Sequence, residues 1–199
     1  MSVVSMLYNI QLMKYAGENG VAAYGVLMYV NLVFQAVFIG YSVGTAPIIS
    51  YHHGAGNHGE LKGLLKKSLF LIGIFSLLML VAGQTLARPL SLLFAGYDES
   101  LLSITIRAFT IFSFSFLCSG MAIFGSSFFT ALGNGIISAL ISFLRTFVFQ
   151  CSTVLIFPLF WELDGIWLST VAAEILAAAV TALFVLGKRK KYHYWPCLP

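Results

Sequence analysis

Charge is what this sequence has least of. Asp, Glu, Lys and Arg together make 9% of its 199 residues, where an ordinary soluble domain carries about 25%. So few charges cannot coat a globular surface, which excludes a soluble enzyme or adaptor. Cysteine is also scarce. Cys118 and Cys151 sit in apolar runs and Cys197 in the tail, with no spacing that suggests a metal ligand set or a disulfide framework. There is no GxGxxG and no phosphate loop. No apolar run contains His or Asp, and no serine has a paired histidine and acid, which argues against intramembrane catalysis. The expectation is a non-enzyme with no catalytic residue, no metal ligand and no cofactor. The net charge of +4 comes from basic residues at the borders of apolar runs, so it is not a nucleic-acid footprint.

What is present is apolar: 59% hydrophobic residues and a mean hydropathy of +0.92. Charge-poor runs occupy about 24–50, 69–87, 108–133, 136–160 and 165–187. Each reaches the roughly 17–25 residues that a helix needs to cross about 30 Å of hydrocarbon. Spans of a β-barrel would instead alternate apolar and polar over about ten residues. The fold class expected is therefore all-α integral membrane.

The charges sort by side. Lys62, Lys66, Lys67, Lys188, Arg189, Lys190 and Lys191 share one set of ends with the single acid Glu60. The opposite ends carry Lys14 and Arg88 among Glu18, Asp98, Glu99, Glu162 and Asp164. Positive residues stay inside, so the 51–67 loop and the 188–199 tail are expected in the cytoplasm of a multi-pass cell-membrane protein. The five runs then pass in, out, in, out and in, and the tail lands where the charge count requires. "SVVSMLYNIQLM" (2–13) is apolar but too short to span. It reads as the outer half of a helix whose inner half is absent, giving a fragment with five whole spans and part of a sixth. The alternative is a short interfacial helix before five spans.

The stretch "PIISYHHGAGNHGELKGLLKKSL" (47–69) holds three of the four histidines. His52, His53 and His58 have no cysteine or acid at ligand spacing, so a metal site is not expected. Leu61, Leu64, Leu65, Ser68 and Leu69 follow a three–four spacing with Lys62, Lys66 and Lys67 on the other side. That pattern predicts an amphipathic helix lying at the headgroups before the span, with "YHHGAGNHG" as its flexible lead-in. Pro47 predicts a kink or stop.

Several segments in order carry a family resemblance. They are "NGVAAYGVLMYVNLVFQAVFIGYSVGTAPIISYHHGAGNHGELKGLLKKSL" (19–69), "RPLSLLFAGYDESLLSITIRAF" (88–109), "FFTALGNGIISALISFLRTFVFQ" (128–150) and "FPLFWELDGIWLSTVAAEILAA" (157–178). Their order and spacing resemble the C-terminal half of multidrug and toxic compound extrusion (MATE) transporters. The resemblance implies one lobe of a twelve-helix transporter that exports amphipathic cationic compounds in exchange for sodium or protons. It implies the missing N-terminal lobe and membrane lipid as partners, and a chain that is inactive alone. There are departures. The N-terminal lobe, which carries coupling acids in many members, is absent. The first helix offers Asn9 and Gln11 where some members use a carboxylate. Trp161-Glu162 stands where the family often has a glycine-containing loop. A lipid-linked oligosaccharide flippase of the same superfamily remains an alternative, kept open by Arg107 and Arg145, as does a non-transporting truncated membrane protein.

Ionisable groups inside spans are costly and are the default functional candidates. Arg145 and Glu174 each lie nine residues into their spans, from opposite sides, so both sit about 13–14 Å deep. The turn "WELD" between them makes their helices antiparallel neighbours, which makes an ion pair feasible, structural or functional. Arg107 lies near an outer helix end and is expected to snorkel. Asn31 and Gln35 share a helix face and read either as a polar strip on a substrate cavity or as helix–helix glue. Phe34 and Phe38 beside them could stack on a flat cation, or simply pack. Gly120 and Gly125, among Ser115, Ser119 and Ser126, predict close helix approach.

Overall fold

The computed structural model describes residues 3–192 and 194. The tail beyond 194, with Cys197, lies outside the described residues, as does Ser2 of the expected partial span. Among the described residues seven α-helices follow one another: α1 (Val3–Gly54), α2 (His58–Ala95), α3 (Glu99–Phe112), α4 (Phe116–Ala131), α5 (Gly135–Phe143), α6 (Gln150–Ile156) and α7 (Pro158–Tyr192). A 3-10 turn, Ser113–Ser115, joins α3 to α4, and a π-helical turn, Leu144–Phe149, joins α5 to α6. Among the described residues five stretches are long and apolar enough to cross a membrane: Val3–Gly54, His58–Ala95, Glu99–Ala131, Gly135–Ile156 and Pro158–Arg189.

Two of these helices contain a sharp break. Tyr8 and Tyr24 would stand about 24 Å apart along a straight helix, yet their rings stack with centroids 5.3 Å apart. The chain turns back at Gly17, whose φ of 60° and ψ of −149° a glycine adopts freely. The segment before Gly17 is thus the short arm of a helical hairpin, packed against the long arm. The matching break in α7 falls at Trp161 and Glu162, and here the positive φ of 46° belongs to Glu162, which has a Cβ. Gly165 lets this turn close, because a Cβ there would come within 2.4 Å of the Phe157 carbonyl oxygen.

The remaining reversals are ordinary hairpins. At one end of the bundle, α1 and α4 finish in the same motif. Gly56 and Gly133 take positive φ, Asn57 N–H donates to the His52 carbonyl and Asn134 N–H to the Phe129 carbonyl. These are Schellman caps. Asn134 then accepts from the Ile137 N–H at the start of α5. At the other end Asp98 accepts from the N–H groups of Ser100 and Leu101 and so caps α3.

Helix α4 is the central element, packed against α1, α2, α5 and α7. Its glycines set the approach distances. A Cβ on Gly120 would meet the Phe38 ring at 2.6 Å, and one on Gly125 would meet Thr181 Cγ2 at 2.1 Å. With no apolar driving force against lipid, such backbone proximity is what holds membrane helices together. One core cluster lies around Tyr8, Tyr24, Phe109, Phe112 and Trp167, and a second around Phe38, Phe124, Phe128, Ile137 and Tyr194.

The headgroup helix expected at 61–69 is instead the first part of α2. Its leucine stripe meets protein rather than lipid headgroups: Leu61 and Leu65 are fully buried in the second cluster, and Tyr41 donates to Ser68 Oγ at 2.9 Å. At 38 residues the helix is about 57 Å long, so it projects past the hydrocarbon at its lysine-bearing end. The expected lead-in "YHHG" is likewise helical, because α1 runs through Pro47 to Gly54. The last turn of α7 and Tyr194 pack at the same end. Asn134 donates to the Tyr192 hydroxyl at 2.8 Å, and Tyr194 donates to the Val185 carbonyl at 2.6 Å. Burial there pushes the Tyr194 phenol above its ordinary range. We denote this end, with Lys62, Lys66 and Lys67, the basic end.

The strain at Glu162 gives a direct test. Holding a residue with a Cβ at this φ costs about 1–3 kcal/mol. Glu162→Gly is expected to raise the thermal midpoint in detergent by about 2–4 °C, corresponding to about 1 kcal/mol, and Gly17→Ala to lower it. An unchanged or lower midpoint for Glu162→Gly would show that the turn is not strained.

Candidate functional site

A cleft of about 220 Å³ is lined by Tyr8, Tyr24, Asn31, Gln35, Arg145 and Glu174, with Met28, Phe112, Thr146, Gln150 and Thr170 among the other lining residues. Its elements are the two arms of α1, the end of α3 with the 3-10 turn, the π turn with the start of α6, and α7. The turn after α6 brings α7 back antiparallel, which places Arg145 opposite Glu174. Arg145 Nε donates to both carboxylate oxygens, at 3.1 and 2.9 Å, and Nη2 lies 2.9 Å from Oε1. The Glu174 side chain is 4% exposed and that of Arg145 17%. A two-point guanidinium–carboxylate contact of this kind is strong and directional. It satisfies two charges that would otherwise be very costly at this depth.

The same cleft holds a phenol that sequence reasoning missed. Tyr8, 2% exposed, donates to Gln150 Oε1 at 3.0 Å, and its hydroxyl lies 2.8 Å from Ser169 Oγ and 2.9 Å from Thr170 Oγ1. One hydroxyl therefore ties the short arm of α1 to both α6 and α7. Gln150 had an available signal, since an amide inside a span needs a partner, the same criterion that singled out Asn31 and Gln35. Tyr8 had none, because a phenol within an apolar run reads as one more aromatic residue.

The other candidates divide. Gln35 Nε2 donates to Asn31 Oδ1 at 2.9 Å, so the two amides satisfy each other along one face and both line the cleft. Phe34 packs on Phe116, with centroids 5.0 Å apart, as part of the wall behind them. Phe38 is elsewhere: it is 2% exposed and packed against Gly120 and Ile72 in the second core cluster, because the closeness of α4 to α1 leaves that ring no other place. Asn9 also points away from the cleft, into a shallow hollow with Met6, Ile10, Met13 and Lys14. Arg107 does not simply reach for the interface. Its Nε donates to Asp164 Oδ1 at 2.7 Å, in an exposed bidentate pair at the end opposite the basic one. Among the described residues no three His, Cys, Asp or Glu side chains gather as a metal site. The wall that results is polar but carries no net charge, with an aromatic stack, an amide pair and an internally neutralised ion pair.

The helical hairpins around this wall have the fold of a known transporter family. The MatE family model matches residues 1–156. The chain belongs to the MatE family. Its fold is one lobe of MATE transporter structures. A MOP superfamily transporter from Pyrococcus furiosus superposes with a TM-score of 0.88 at 21% identity, over 97% of this chain and 44% of that one. The MATE transporter VcmN of Vibrio cholerae, in its bent form, gives 0.87 at 20% identity, over 98% and 44%. The outward-facing form of a multidrug resistance MATE family transporter gives 0.89 at 19% identity, over 97% and 44%. The chain therefore spans less than half the length of these transporters. None of the curated proteins is similar enough to match it.

The ion pair makes a quantitative prediction. Glu174→Ala leaves the Arg145 guanidinium without its counter-ion and is expected to cost about 3–5 kcal/mol, read from SDS-induced unfolding in mixed micelles. The double substitution Arg145→Met with Glu174→Met is expected to recover most of that loss. Additive losses in the double variant would show that the two side chains do not support each other.

Proposed function

We propose that this MatE-family chain forms the C-terminal lobe of a secondary active exporter, one that moves amphipathic cationic compounds out of the cell in exchange for sodium or protons. The observation that carries this reading is the cleft itself. The Asn31–Gln35 amides and the Arg145–Glu174 pair, set beside the buried Tyr8–Tyr24 stack, offer hydrogen-bonding groups without a net positive charge. Such a wall suits an organic cation, since it carries no net charge to repel one. The cleft is one wall of a cavity, and an N-terminal lobe is proposed to supply the other, with substrate exchanged between the two sides of a cell membrane by alternating access. The lysine-bearing ends of the spans are proposed to face the cytoplasm. The flippase alternative relied on free arginines to hold a lipid phosphate, and both arginines here hold carboxylates instead.

Proteoliposomes test this reading. The chain joined to an N-terminal MATE lobe is expected to drive ethidium efflux under an imposed sodium or proton gradient, whereas the chain alone is expected to drive none. Gradient-dependent ethidium efflux by the chain alone, or translocation of a polyprenyl-phosphate-linked sugar in place of ethidium, would contradict it.

A further inference from the structure

The two core clusters are stacked along the helices. Helices α1, α4 and α7 each run through both, with Val30, Phe116 and Trp167 in the first and Phe38, Phe124 and Val185 in the second. Helices α5 and α6 divide instead. Ile137 and Ile141 of α5 belong to the second cluster, and Val154 of α6 belongs to the first. The π turn Leu144–Phe149 is where this part of the chain passes from one core to the other. The polar groups of the cleft lie at the same seam. Asn31 and Gln35 fall between Val30 and Phe38, Arg145 between Ile141 and Val154, and Glu174 between Trp167 and Val185.

Both sides of the turn are docked independently. Ser138 Oγ of α5 lies 2.9 Å from Ser126 Oγ and 2.7 Å from Thr130 Oγ1, both on α4. Gln150, at the start of α6, accepts from the Tyr8 hydroxyl of α1 at 3.0 Å. The polar residues Ser138, Ser142, Thr146 and Gln150 are spaced by four. On a continuous α-helix such a row drifts about 40° per step, which would leave Gln150 about 120° away from Ser138. Ile141 and Thr153, both buried, have the same separation and would diverge equally. One residue inserted in π form takes back about 100°, so both pairs come back into line. The segment thus holds one residue more than an α-helix between the same two docks requires.

An inserted residue is also slack. Sharp bends of helices concentrate at π turns, where the regular i→i−4 ladder is already interrupted. We propose that the π turn is a conformational joint at which the two halves of this lobe bend against each other, changing the width of the cleft at the seam. The proposal concerns the lobe itself and does not depend on the export reading.

Deletions in the chain, purified in mild detergent, test it first. Removing Phe147 or Val148 takes out the spare residue and leaves both docks in line, so a folded size-exclusion peak close to the parent's is expected. Removing Ala139 from α5 or Ser152 from α6 turns a docked face by about 100° and is expected to lower that peak several-fold. Phe147→Ala separates loss of the ring from loss of the residue. Failure of both turn deletions to fold while Phe147→Ala folds, or equal recovery of all four deletions, would overturn the spare residue and the joint with it. Bending is then read from nitroxide labels on Leu140→Cys in α5 and Leu155→Cys in α6, with Cys118, Cys151 and Cys197 changed to alanine. By electron–electron double resonance the distance distribution in the parent is expected to be about twofold broader or more than in the folded turn deletion, whose helix is continuous. Equal widths would overturn the joint.

Discussion

The constraint on which this lobe depends is the pairing of two charges in the middle of a hydrocarbon layer. Neither Arg145 nor Glu174 is tolerable there alone, since the desolvation of an isolated ion exceeds what the rest of the packing supplies. Together, with a carboxylate that accepts from two guanidinium nitrogens, they are compatible with the interior. That pairing requires α6 and α7 to be antiparallel, a turn between them that closes tightly, and a helix that presents Arg145 inward. The strained Glu162, the small Gly165 and the π turn around Arg145 each meet one of these requirements.

A second constraint is proximity. Helices in lipid gain nothing from apolar contact with one another that they do not also gain from acyl chains. What favours the bundle is the fit of one backbone against the next, and Gly83, Gly120 and Gly125 mark the contacts where a methyl group would already collide with a neighbour. Tyr8 adds a polar tie of the same kind, holding the short arm of α1 to α6 and α7. The cleft forms where these two kinds of contact leave off. Its lining consists of side chains that satisfy one another, which explains how a wall with an amide pair and an ion pair stays neutral.

Much of this was legible in the residues. Runs without charge located the membrane helices, and the order of several segments pointed to the family. Counting depth along two helices put Arg145 and Glu174 at one level, and a short turn made their helices neighbours, which is the arrangement the structure has. What was not legible depended on which face meets protein and which meets lipid. In a soluble helix polarity separates the faces, whereas here both are apolar. Phe38 could therefore be taken for a cavity residue when it fills the space beside Gly120. The leucine stripe at 61–69 has the same period whether it lies on headgroups or on a neighbouring helix, and only the packing of α2 decides. The π turn left no mark in composition at all, and it becomes visible as an explanation only once the polar residues spaced by four are seen to stay in line.

Whether Arg145 and Glu174 support each other electrostatically is tested most directly by exchanging them. Arg145→Glu and Glu174→Arg would be made singly and together, and the amount of monodisperse, folded protein recovered in mild detergent measured by size-exclusion chromatography. Each single exchange puts like charges in contact and is expected to abolish the folded peak, while the double exchange restores a substantial part of it. A double exchange no better than the singles, or single exchanges that fold as well as the parent, would contradict the central claim.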